Sequence, residues 1–136
     1  MKFAILLVSL TSMAQALPLW FEPNQGQTHP SVQFLSRSVY LGSTRVAIHS
    51  GPNKPIVMDL IGARSDAHAK GLDLQAGITS YFLGNDPKKW RSGIRHYAKV
   101  RYKDVYPSID VIYYGNPESL ISCKMSLKRG WVSHTR

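Results

Sequence analysis

The sequence predicts an all-β fold: an antiparallel β-sandwich-like domain, incomplete at its C-terminal end, that follows an N-terminal signal peptide. Three observations carry this. Short β-branched and aromatic runs recur between Gly, Pro, Asn and Ser punctuation. Residues 94–103 alternate between two faces, one apolar and one cationic. No window of helical length beyond the first residues keeps an apolar stripe.

Lys2 and the apolar run from Phe3 to Leu10, broken by Ser9, have the form of an export leader. Ala14-Gln15-Ala16 supplies the small-x-small pattern that signal peptidase cuts, so residues 1–16 are the predicted signal peptide and Leu17 the first mature residue. The run is shorter than the roughly 20 residues that span a bilayer. No later segment is long and apolar enough to do so, and the expected location is extracellular or in the cell envelope.

About 120 residues remain, enough for one small domain with a modest core. Cys123 is the sole cysteine, so packing without an intrachain disulfide must hold the fold. The formal charge is +9, from 17 Lys and Arg against 8 Asp and Glu. That balance favours anionic partners, and an exported chain meets acidic polysaccharide and envelope anions before nucleic acid.

Residues 17–30 carry prolines, a glycine and Asn24 with no helical period, and read as an ordered loop that buries Trp20 and Phe21. Strands are expected over 32–36, 40–41, 45–49 and 56–61, with a turn over 51–55. Residues 62–77 are polar and read as irregular. In residues 94–103, Ile94, His96, Ala98, Val100 and Tyr102 fall on one face, and Arg95, Tyr97, Lys99, Arg101 and Lys103 on the other. A turn over 105–108 leads to a second strand over 109–114.

Three motifs in order are recognisable: residues 21–28 (Phe-Glu-Pro-Asn-Gln-Gly-Gln-Thr), residues 81–87 (Tyr-Phe-Leu-Gly-Asn-Asp-Pro) with Trp90, and residues 100–116. Together they resemble the N-terminal domain of bacterial SBBP-repeat surface proteins. The resemblance covers residues 17–116 and implies an exported β-sandwich-like module of unknown function, followed in relatives by β-propeller-type repeats. It supplies no catalytic residues. Relatives continue with a strand resembling Leu-Glu-Tyr-Asp-Phe, whereas residues 117–136 here diverge, as a shifted reading frame and a truncated product would explain. The competing reading takes Ile121, Cys123, Met125 and Leu127, which alternate with polar residues, as a closing strand.

The chemistry-bearing residues form no catalytic pattern. His29, His49, His68, His96 and His134 are scattered without zinc-site spacing, and no metal site or cofactor is expected. Asp86, Asp104 and Asp110 lack the spacing of a calcium loop and suit turn capping. There is no nucleophile elbow, and Glu22 and Glu118 both sit in turn-like settings. The basic run Lys88, Lys89, Arg91, Arg95, Lys99, Arg101 and Lys103 is interleaved with Trp90, Tyr97 and Tyr102, a composition that suits acidic glycan or nucleic acid. Cations on an outer strand face also keep an edge from pairing with other chains, and that plainer role carries more weight.

The sequence therefore predicts a non-catalytic module for binding or assembly at the cell surface, with Arg95, Lys99, Arg101 and Lys103 as its candidate anion-binding face. The alternative is a fragment of a carbohydrate-active or other secreted enzyme, which would require two carboxylates facing each other in one cleft.

Overall fold

A computed structural model describes residues 19–116 and 121–128. Among these residues, nine strands form two antiparallel sheets, a sandwich-like all-β architecture. The first sheet is a meander of β1 (Glu22–Pro23), β2 (Phe34–Leu35), β3 (Val39–Leu41), β4 (Arg45–Ile48) and β5 (Ile56–Asp59). The second is a meander of β6 (Ala69–Tyr81), β7 (Arg91–Tyr106), β8 (Ile109–Tyr114) and β9 (Ser122–Leu127), with one 3-10 turn at Pro87–Lys89. The predicted signal peptide, with Ala14 and Ala16, lies outside the described residues.

The two sheets meet at Phe21. Its N–H donates to the carbonyl of Tyr97 and its carbonyl accepts from the Tyr97 N–H, both at 2.8 Å. The N-terminal segment is thereby stitched to the middle of β7, just before the stretch of that strand that pairs with β8. Phe21 is fully buried and joins a core of Phe34, Val39, Leu41, Val46, Val100, Tyr102, Val105, Val111 and Tyr113 drawn from both sheets. Gln33 adds a second tie: its side chain donates to the Ala67 carbonyl at 2.9 Å and accepts from the Ala69 N–H at 2.7 Å, so β2 anchors the start of β6.

The alternation along β7 places Ile94, His96, Val100 and Tyr102 inside and leaves Arg95, Lys99 and Lys103 exposed, because successive side chains of a strand point to opposite faces. Tyr97 departs from the expected outward face. It packs against the core, edge-on to Phe34 with ring centroids 6.1 Å apart, because the Phe21 segment crosses β7 at that residue. Beyond Tyr102 the strand runs on through Val105 and Tyr106, where a turn was expected. A register shift between Tyr102 and Tyr106, with Asp104 at φ 51°, absorbs the kink, and Asp110 accepts the Asp104 N–H at 2.8 Å.

Residues 62–77, read as irregular, contain most of β6. That strand is mostly solvent-exposed, with no fully buried residue, and is broken by register shifts, so it has no apolar period for the sequence to display. Its glycines serve close packing: a Cβ at Gly71 would collide with the Tyr97 ring, and one at Gly77 would lie 2.6 Å from His96 Nδ1. At the other end, β9 pairs with β8 from Ile109↔Leu127 to Tyr114↔Ser122, so residues 122–127 adopt the closing-strand form and the edge of β8 is covered.

Candidate functional site

Directly paired residues of neighbouring strands share a face, about 5 Å apart. The register therefore builds a row across the outer surface of the second sheet: Lys70 on β6, Arg101 on β7, Ile112 on β8 and Lys124 on β9. A parallel row two residues away holds Leu72, Lys99, Tyr114 and Ser122. Along β7 the cations Lys99 and Arg101 stand about 7 Å apart.

Lys99 forms an ion pair with Asp73 at 2.9 Å. Lys70, Arg101 and Lys124 have no ion pair among the described residues. Arg101 is half-buried, and its buried Nε has no hydrogen-bond partner among the described residues. Lys70 and Arg101 face each other directly, and like charges in that position weaken a sheet. Of the predicted anion-binding residues, Lys99 and Arg101 thus join one surface. Arg95 lies farther along β7 opposite Ile78, and Lys103 is exposed beside the bulge. Sequence reading missed Lys70 and Lys124, because cross-strand neighbours appear only once the register is known.

A second group of polar residues is enclosed between the sheets. Glu22 is 3% exposed and His96 8%. Tyr81 donates its hydroxyl to Glu22 Oε1, Thr79 Oγ1 and His96 Nε2 share a hydrogen bond of 2.5 Å, and His96 Nε2 lies 3.9 Å from Glu22 Oε2. Burial, followed by the neighbouring Glu22 carboxylate, pushes the Tyr81 phenol up to about 12. Trp20 stacks on His96 with centroids 5.0 Å apart, and the Arg37 guanidinium lies 5.5 Å from the Trp20 ring centre. Glu22 and His96 are buried, while Tyr81, Thr79 and Trp20 are half-buried, and their contacts fix the N-terminal segment on the second sheet. Glu22, expected in a turn, owes its burial to partners far along the chain.

An open cleft of about 570 Å³ lies between the residue 24–34 loop and the start of β6, lined by Asn24, Gly26, Thr28, Gln33 and His68 among others. The Asn24 side chain is engaged within its own loop: it donates to the Val32 carbonyl at 2.8 Å and accepts from the Gly26 N–H at 3.0 Å. Gly26, at φ 109°, lets Arg91 close on the loop, where Arg91 Nε donates to the Gln25 carbonyl at 2.7 Å. The motif over residues 21–28 thus builds a loop and a sheet joint.

At the far end of the second sheet, Lys128 pairs with Asp104 and lies 3.7 Å from Asp110. The described residues contain no cluster of three His, Cys, Asp or Glu able to hold a metal ion. None of their helices is long and apolar enough to cross a membrane.

Fold and surfaces together define a two-sheet β domain with a cationic outer face. The chain belongs to the family described as a domain of unknown function (DUF7948), whose model matches residues 21–130. No curated protein and no solved structure matches.

Proposed function

We propose that this chain is an exported, non-catalytic binding module of the cell surface or extracellular space, and that the outer face of its second sheet takes acidic polymers. The observation that carries the reading is the row Lys70, Arg101, Ile112, Lys124, beside Lys99 and Tyr114. Like charges set opposite one another cost the sheet stability, and a bound polyanion offsets that cost. Ile112, Tyr114 and Leu72 give the face apolar ground between the charges.

Export is supported by the leader-like first 16 residues. Kinship with the N-terminal modules of SBBP-repeat surface proteins is supported by the three ordered motifs, and in that setting the domain would present a surface ahead of a repeat array. The frameshift reading of residues 117–136 is tested by the downstream DNA read in all three frames.

The binding function is tested by retention on an immobilised acidic polysaccharide, comparing wild type with Lys70→Gln/Lys99→Gln/Lys124→Gln. All three side chains are exposed, so the variant keeps the fold. Loss of retention is expected, and equal retention of both proteins overturns the assignment to this face.

A further inference from the structure

We infer that the tip of the β6–β7 hairpin, residues 82–90, is a docking element for an anionic lipid surface. In this arrangement Phe82, Leu83 and Trp90 enter the interfacial region, and Lys88 and Lys89 meet the lipid phosphates.

Every residue from 82 to 90 is exposed, so the tip stands clear of the sandwich. Phe82 is 61% exposed, Leu83 72% and Trp90 40%. Apolar side chains grouped at one end of a water-exposed element mark an interaction surface rather than ordinary scatter.

The exposure is built in. Asp86 caps the 3-10 turn by accepting the Lys88 N–H at 3.0 Å, and the Trp90 indole N–H donates to the Gly84 carbonyl at 3.1 Å. Phe82 and Trp90 meet edge to face, with centroids 5.5 Å apart. Arg91 donates to the carbonyl of Lys88 at 3.0 Å, tying the base of the tip to the sheet. With the turn held by these bonds, Leu83 and Phe82 face water.

Exposure and charge choose the partner. A Cβ at Gly84 would touch nothing within 4 Å, so the tip is open to solvent at that residue. Lys88 and Lys89 flank the apolar residues, while the carboxylate of Asp86 is engaged by the backbone of its own turn. An apolar tip with two adjacent cations beside it complements a bilayer interface that presents anionic headgroups above acyl chains. Trp and Phe are the side chains that settle at that depth. This surface shares no residue with the polymer-binding face, and the two are separable by mutation.

The test is co-sedimentation of the chain beginning at Leu17 with vesicles of phosphatidylcholine alone and of equal parts phosphatidylcholine and phosphatidylglycerol. Wild type is expected to sediment with the anionic vesicles, with a blue shift in tryptophan emission that Trp90→Phe removes. Phe82→Ser/Leu83→Ser, which leaves the charge unchanged, is expected to weaken binding about tenfold or more. Lys88→Gln/Lys89→Gln should do so by a similar factor, at roughly fivefold per lysine. Lys70→Gln/Lys99→Gln/Lys124→Gln should keep the spectral shift.

Should the double serine variant fail to fold, Leu83→Ser alone, at the most exposed of these positions, makes the same comparison. The inference is overturned if neither vesicle sediments the protein, if the serine variants bind like wild type, or if only the sheet-face variant loses binding.

Discussion

Tyr81 and Glu22, separated by most of the first sheet in sequence, share a hydrogen bond at the joint between the two sheets, with the phenol donating and the carboxylate accepting. Glu22 is almost fully buried there, and among the described residues the remaining donor to the same oxygen is Gln27 Nε2 at 3.5 Å. Tyr81→Phe should therefore cost about 1–3 kcal/mol in urea unfolding, the cost of leaving a buried acceptor short of its partner. An unchanged midpoint would show that Gln27 and His96 satisfy the carboxylate without it.

Alkaline pH should weaken the fold through the same residue. The phenol is raised from its ordinary value of 10.0 to about 12, so the folded state holds the proton more tightly than the unfolded chain. The contribution is fully present below the unfolded value and is lost as pH rises through the folded one. Burial pushes Tyr102 and Tyr113 in the same direction. Urea midpoints should fall as pH climbs from about 10 towards 12, and Tyr81→Phe should flatten that fall. A flat wild-type profile would contradict the burial of these rings.

Tyr102 offers the opposite case. It is 1% exposed, and its hydroxyl has no hydrogen-bond partner among the described residues. Removing an unsatisfied buried donor while keeping the ring is neutral or stabilising. Tyr102→Phe should unfold at the same or a higher urea concentration than wild type, with its edge-on contact to Tyr113 retained. A marked loss of stability would reveal a partner for that hydroxyl.

Strand β9 should be required for solubility. It covers β8 along its whole length, and Lys128 at its end pairs with Asp104 and donates its N–H to the Ser108 carbonyl at 2.9 Å. A chain stopped after Asn116 would expose the β-branched and aromatic edge Ile109–Tyr114 to other chains. Sedimentation should show aggregates for that chain and a monomer for the longer one. A stable monomer ending at Asn116 would mean that β9 is dispensable.

What the sequence disclosed follows from where apolar side chains are placed. Strands β7 and β8 were legible because their buried residues alternate with polar or cationic ones or form a dense β-branched run. Strand β6 was hidden because it is mostly exposed and its glycines, which make room for Tyr97 and His96, read as loop formers. Tyr97 was misplaced because a backbone bridge to Phe21, distant in sequence, decides its side. The candidate face was half visible: Lys99 and Arg101 lie in one run, whereas Lys70 and Lys124 join them only through pairing. The buried Glu22 group was invisible for the same reason, since no local pattern announces a partner as remote as Tyr81.

The most direct measurement is a titration of an acidic polysaccharide into wild type and into Lys70→Gln/Lys99→Gln/Lys124→Gln across a salt series. Charges on an exposed sheet face are screened over about 8 Å at physiological ionic strength. Wild-type binding should weaken steeply through that range, and the variant should bind more weakly with a shallower salt dependence. A single-stranded nucleic acid should compete with similar strength, since point charges on a strand carry no donor pattern for reading bases. Tight, salt-independent binding of a neutral sugar, or a variant indistinguishable from wild type at every salt concentration, would contradict the assignment of the second sheet's outer face as the binding surface.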